Sequence, residues 1–98
     1  MESIAEDIND IIHYVYIIQS EKDGRYYIGS THDPELRLVH HNKGWTRSTK
    51  SRVPWKLKYI EKYKNKKMAL HIEREIKAKK SREYIKRLIA AEGRPDTD

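Results

Sequence analysis

The chain is expected to fold as a single small α+β domain, a three-stranded antiparallel sheet flanked by helices in the order β-β-α-β-α-α. Three observations predict it. The 98 residues leave room for one core. Two β-branched and aromatic runs flank Asp23-Gly24, a hairpin-turn signal. Further on, apolar residues recur at helical spacing at Met68, Ala69, Ile72 and Ile76, and again at Tyr84, Ile85, Leu88 and Ile89.

Taken in order, residues 1–12 form an acidic leader whose Ile4, Ile8, Ile11 and Ile12 would suit a short amphipathic helix. Tyr14-Val15-Tyr16-Ile17-Ile18 has the composition of a buried strand, and Tyr26 to Thr31 reads as its antiparallel return. Asp33-Pro34 starts a helix, because Asp accepts from free N–H groups and Pro is pre-set for the first helical position. That helix is expected to reach His41 or Asn42. Asn42 to Pro54 lacks periodicity and reads as a basic loop. Trp55–Tyr63 partly alternates, with Leu57 and Tyr59 on one face, and reads as a third strand at a sheet edge. A helix follows from Lys67, and Ser81 can cap a last one, ended by Gly93-Arg94-Pro95. The domain is thus expected over residues 13–91, with 92–98 as a tail.

Composition narrows the function. Hydrophobic and charged residues each make up 37% of the chain, so the core must be small. The absence of cysteine excludes disulfide frameworks, thiolate zinc sites and cysteine nucleophiles. No apolar run approaches the ~20 residues of a membrane span, and the acidic start is unlike a secretory signal, so no membrane partner and a cytoplasmic location are expected. The net charge of +6 hides an asymmetry. Residues 1–42 carry −5, residues 43–87 carry seventeen Lys and Arg against four acids, and the last eleven residues carry −2. A block at +13 is an electrostatic footprint for a polyanion. Trp45, Trp55, Tyr59, Tyr63 and Tyr84 interleave with it, which suits nucleic acid. A merely solvated basic surface is the bland alternative.

Two tyrosine triplets face each other across the predicted hairpin, Tyr14-Val15-Tyr16 and Tyr27-Ile28-Gly29. The pair resembles the signature of the GIY-YIG nuclease family. The resemblance continues through Gly29-Ser30-Thr31, Arg37-Leu38, His41-Asn42 and Gly44. It extends through Pro54-Trp55-Lys56-Leu57, Ala69, Glu73, Ile76-Lys77 and Lys80-Ser81-Arg82, covering about residues 13–89. The chain looks most like the short stand-alone bacterial members, which are similar to the nuclease module of the excision-repair incision enzyme. The resemblance implies metal-dependent hydrolysis of DNA phosphodiesters, with Tyr16, Tyr27, Arg37 and His41 as catalytic positions, Glu73 as the metal ligand and Gly29 as the signature glycine. It also implies Mg²⁺ or Mn²⁺ as cofactor and duplex or branched DNA as partner. Homing and restriction members carry extra recognition domains for which this chain has no room, so sequence-specific cutting is not expected. Recognition of DNA shape or damage, or recruitment by a partner such as a repair protein, takes its place.

The residue types support those assignments separately. Glu73 is the one acid on the stripe between Ile72 and Ile76, inside a basic segment, and Mg²⁺ typically takes one or two protein carboxylates. Its alternative is an i,i+4 pair with Lys77. Arg37 and His41, four residues apart, share a helix face. There an Arg can grip a phosphate oxygen and a His can relay a proton, although Arg37 alone could equally be a surface charge. Tyr16 and Tyr27 could be packing residues with wet hydroxyls. As a base, a phenol of pKa ≈ 10 needs nearby cations to depress it, and Arg37, a metal and the basic loop are expected to do so. Tyr16 is the favoured base. Gly29 is read either as ordinary turn geometry before the helix or as a place where a phosphate or metal comes close. Lys43, Arg47, Lys50 and Arg52 in the loop, with Lys77, Lys79, Lys80 and Arg82, are candidate grips on the DNA backbone. Two rivals compete with the enzyme: a binding module of the same fold that does not cut, or needs a partner to cut, and a structural RNA-binding protein.

Overall fold

The computed structural model describes residues 11–91. The leader helix suggested over residues 1–12 and the tail over 92–98 lie almost wholly outside the described residues. Within them the order is β1 (His13–Ser20), β2 (Tyr26–Thr31), α1 (Pro34–Asn42), β3 (Trp55–Tyr63), α2 (Lys66–Lys79) and α3 (Arg82–Ala91), the β-β-α-β-α-α order expected. The strands form one antiparallel sheet in the order β2-β1-β3. Among the described residues, no helix is long and apolar enough to cross a membrane.

Local chemistry explains the boundaries. Gly24, at φ +78°, turns the β1–β2 hairpin. Asp33 Oδ1 accepts from Leu36 N at 3.1 Å to cap α1, Asn65 Oδ1 accepts from Met68 N at 3.0 Å to cap α2, and Ser81 Oγ accepts from Tyr84 N at 3.0 Å to cap α3. The Asn65 cap starts α2 one residue before the expected Lys67.

Because β1 is the central strand, both of its faces are covered, and Val15 to Ile18 are all buried. Val15 and Ile17 point to one side, where they pack with Tyr59, Ala69, Ile76 and Ile85 beneath α2 and α3. Tyr16 and Ile18 point to the other, where they pack with Trp55, Tyr27, Leu38, Val53 and Leu57 beneath α1 and its following loop.

The third strand departs from expectation. Leu57 and Tyr59 lie on opposite faces, because Ile18 pairs with Leu57 while Ile17 pairs with Tyr59, leaving Lys58 as an extra residue. This β-bulge inverts the alternation. Trp55 and Leu57 therefore serve the α1 face and Tyr59 the helix-pair face. Trp55 and Tyr59 are also 5% and 2% exposed, which removes them from the aromatics available to a nucleic acid.

The loop from Lys43 to Pro54 holds a 3₁₀ turn at Lys50–Arg52 and is tied down along its length. Asn42 closes its ends, Oδ1 accepting from Trp55 N at 2.6 Å and Nδ2 donating to Trp55 O at 3.1 Å. Trp55 Nε1 donates to Thr49 O at 2.9 Å. Ser20 Oγ donates to Arg52 O at 2.7 Å, joining the loop to the hairpin turn.

Candidate active site

The α1 face of the sheet carries a polar chain inside an otherwise apolar layer. Tyr16 projects from β1 and His41 from the last turn of α1, and Tyr16 Oη lies 2.8 Å from His41 Nε2. His41 Nδ1 in turn lies 2.8 Å from Thr49 Oγ1, and the Thr49 hydroxyl donates to Thr46 O at 3.3 Å. A hydroxyl has one hydrogen. With that hydrogen given to Thr46, Thr49 accepts from His41 Nδ1–H, which leaves Nε2 as the acceptor of the Tyr16 O–H. The order of donors fixes the tautomer. All three side chains are buried, His41 and Thr49 completely.

Tyr27, directly behind the Tyr16–His41 contact, sits edge-on to the His41 ring at 5.1 Å between centroids and 6.4 Å from the Tyr16 ring. Gly29 pairs with Tyr16 across the β1–β2 ladder. A Cβ built on Gly29 would stand 2.6 Å from Tyr16 Oη and 2.7 Å from its Cζ. Gly29 thus lies inside β2, not in a turn, and what it accommodates is the Tyr16 ring passing over it.

Arg37 stands one turn before His41 on α1, and its buried Nε has no hydrogen-bond partner. Such an orphaned donor is unusual and marks a place where an incoming acceptor would be welcome. Glu73, on α2, has a side chain 14% exposed, and its Oε2 accepts from Lys77 Nζ at 2.7 Å, so the expected i,i+4 pair forms. Its charge nonetheless reaches Tyr16, whose ionisation it opposes.

The electrostatics run against the expected depression of the tyrosine. Burial pushes the Tyr16 phenol up to about 12; Arg37, by hydrogen bonding and by charge, pulls it down less than that, and Tyr27 and Glu73 push it further up. Desolvation outweighs the single nearby cation. Burial also holds the His41 imidazole down to about 4, helped by the positive charge of Arg37 and the neighbouring His40. At neutral pH the chain is a neutral phenol donating to a neutral imidazole.

The sequence-predicted residues therefore separate into groups. Tyr16, Tyr27, Gly29 and His41 meet on one face, with Arg37 and Glu73 acting on Tyr16 from two helices. Of the candidate DNA grips, Arg52 is occupied in folding, its Nε 3.1 Å from Asp23 Oδ2. Lys43 lies over Trp45, Lys79 over Tyr84 and Arg82 over Tyr26. Arg47 and Lys50 are exposed on the loop. Thr49 is the residue that sequence reasoning missed, since nothing in a polar loop distinguishes a threonine whose hydroxyl will be buried against a histidine eight residues earlier.

A profile of the GIY-YIG catalytic domain matches residues 12–86. The chain belongs to the GIY-YIG family. Its relatives include small GIY-YIG proteins named UPF0213. One from Streptococcus pneumoniae is 40% identical over 68 residues, 68% of each chain. One from Staphylococcus saprophyticus is 44% identical over 66 residues, 66% of this chain and 79% of its own. The solution NMR structure of a UPF0213 protein from Bacillus halodurans superposes with a TM-score of 0.55 at 33% identity, covering 86% of this chain and 88% of that one. The GIY-YIG domain is a nuclease domain, and the matched range includes the two strands that carry Tyr16, Tyr27 and Gly29.

Proposed function

We propose that this chain is a metal-dependent endonuclease that hydrolyses DNA phosphodiester bonds. The observation that carries the reading is the buried Tyr16–His41–Thr49 chain, with the unpartnered Arg37 Nε beside it. Any buried tyrosine needs a hydrogen-bond partner; what supports the reading is that this partner is an imidazole, able to take a proton, and that a third side chain orients it.

In this reading Tyr16 Oη takes the proton of the attacking water as its own proton moves to His41 Nε2. Thr49 holds the imidazole by accepting from Nδ1–H throughout. The pKa values of about 12 and about 4 keep the proton on Tyr16 at rest. A phosphate entering the site adds negative charge, which favours an imidazolium and disfavours a free phenolate, so the relay is preferred to a standing tyrosinate. Arg37 donates to a non-bridging oxygen of the phosphate and stabilises the charge that grows there. Tyr27 orients the water or the phosphate.

Among the described residues no three His, Cys, Asp or Glu side chains gather into a metal cage. A single, largely buried carboxylate is the donor set that Mg²⁺ or Mn²⁺ accepts when waters and substrate oxygens fill the remaining positions. Glu73 would hold that ion, and the ion would supply Lewis-acid stabilisation of the developing charge. Lys43, Arg47 and Lys50 on the pinned loop, with Lys77 and Lys79, would neutralise phosphates of the duplex backbone without reading bases.

The test is nicking of supercoiled plasmid and of a branched duplex in Mg²⁺, Mn²⁺ or EDTA, comparing wild type with Glu73→Ala. Metal-dependent nicking that disappears with Glu73→Ala is expected. DNA retarded but uncut in every metal would overturn the reading in favour of a binding module, and nicking that survives Glu73→Ala would misplace the metal ligand.

A further inference from the structure

Behind the edge strand β2, on the face opposite Tyr27 and Gly29, lies an open cleft of roughly 340 Å³ between β2, α2 and the start of α3. Its floor is apolar, built by Ile28, Ile76 and Ile85, and its rim is cationic, built by Arg25, Lys80 and Arg82. The Arg82 guanidinium lies over the Tyr26 ring, 4.9 Å from its centre, which seats it at the cleft wall. Among the described residues no carboxylate pairs with Lys80 or Arg82. Lys77 also lines the cleft and is the partner of Glu73, so the cleft adjoins the proposed metal ligand.

A duplex backbone needs only a row of cations, and an apolar floor beneath them adds nothing for it. A splayed base needs an apolar or planar surface, and its phosphate needs cations at the edge. We propose that this cleft binds an unpaired nucleotide of the substrate strand, the base lying over Ile28, Ile76 and the Arg82 plane and the phosphate held by Lys80 and Arg82. The proposal rests on the nuclease reading and deepens it. The strand crosses the open edge of β2 from the tyrosine face to the cleft, and the preferred substrate is DNA with a single-stranded segment beside the cut.

The fold supplies a gentle variant. Lys80 has a left-handed backbone at φ +48°, where glycine is the better residue, so Lys80→Gly removes the cation without straining the chain. The experiment is fluorescence anisotropy in EDTA with three probes: a blunt duplex, the same duplex with a short single-stranded tail, and the same with an abasic tail. Wild type is expected to bind the tailed duplex on the order of tenfold more tightly than the blunt one, and the abasic tail is expected to lose most of that gain. Combined Lys80→Gly and Arg82→Gln is expected to bring the ratio of tailed to blunt affinity close to one. Equal wild-type affinity for tailed and blunt DNA would overturn the proposal. So would an abasic tail that binds as well as the complete one, or a double variant that weakens both probes alike. Because nothing is cut in EDTA, these outcomes are separate from the plasmid assay, which alone judges the nuclease.

Discussion

The two faces of β1 differ in kind although they alternate residue by residue. Ile17 enters a largely apolar layer beneath α2 and α3, whose buried tyrosine, Tyr59, donates its hydroxyl directly to the Glu61 carboxylate. Its neighbour Tyr16 enters a layer of similar burial, yet there its hydroxyl meets His41, which meets Thr49, which meets a backbone carbonyl. The helix-pair face holds the fold chiefly by buried area, whereas the α1 face accepts three polar side chains and must satisfy them in series. Desolvation that simply stabilises Ile17 becomes, at Tyr16 and His41, the force that keeps both groups neutral. The same burial that fixes a position at Ile17 fixes a charge state at Tyr16 and His41.

The comparison breaks first under truncation of the apolar side. Ile17→Ala should cost about 2–5 kcal/mol in denaturant unfolding, the range for deleting a fully buried aliphatic side chain. A loss well under 1 kcal/mol would mean that the helix-pair face is not the foundation.

The polar side should reveal itself by titration. His41 is held below its unfolded value of 6.5, so its contribution is intact above that pH and is lost as pH falls toward 4, on the order of 3 kcal/mol in all. Tyr16 is held above its unfolded value of 10, so a loss of similar size is expected as pH rises from 10 toward 12. Denaturant midpoints measured across pH check both limbs, and a His41→Asn variant should flatten the acidic one.

Gly29→Ala sharpens the contrast further. Its Cβ would meet the Tyr16 ring and must displace it from His41, which should cost about 1–3 kcal/mol and most of the nicking activity. Unchanged stability and rate would show that the ring has room to move. At Thr49 the smallest effect is expected from the conservative exchange to serine. Thr49→Val keeps the shape but strands the His41 Nδ1–H, at about 1–3 kcal/mol, and should slow nicking, whereas Thr49→Ser should restore both to within about 1 kcal/mol and a few-fold in rate. Failure of Ser to rescue would make Thr49 a packing residue.

Much of this was legible in the sequence because it is local. The Asp33 and Ser81 caps, the Asp23-Gly24 turn and the helical stripes each depend on residues within a few positions of one another, and the element order follows from them. The spacing of Arg37 and His41 likewise announced a shared face. What was hidden is non-local. The bulge at Lys58 arises from pairing with Ile17 and Ile18, forty residues away, and no alternation within β3 reveals it. Gly29 is explained by a ring on another strand, and the raised Tyr16 pKa by a layer of side chains drawn from three elements. Composition marked the basic segment but could not tell Arg52, spent on Asp23, from exposed Arg47 and Lys50.

The central claim is that the α1 face is where protons move, and one variant tests it most directly. Tyr16→Phe deletes a single oxygen. It should leave the chain folded, with about 1–3 kcal/mol lost from the unpaired His41 Nε2, while plasmid nicking falls roughly 100- to 10,000-fold. Nicking by folded Tyr16→Phe at near the wild-type rate would contradict the account and return Tyr16 to the core.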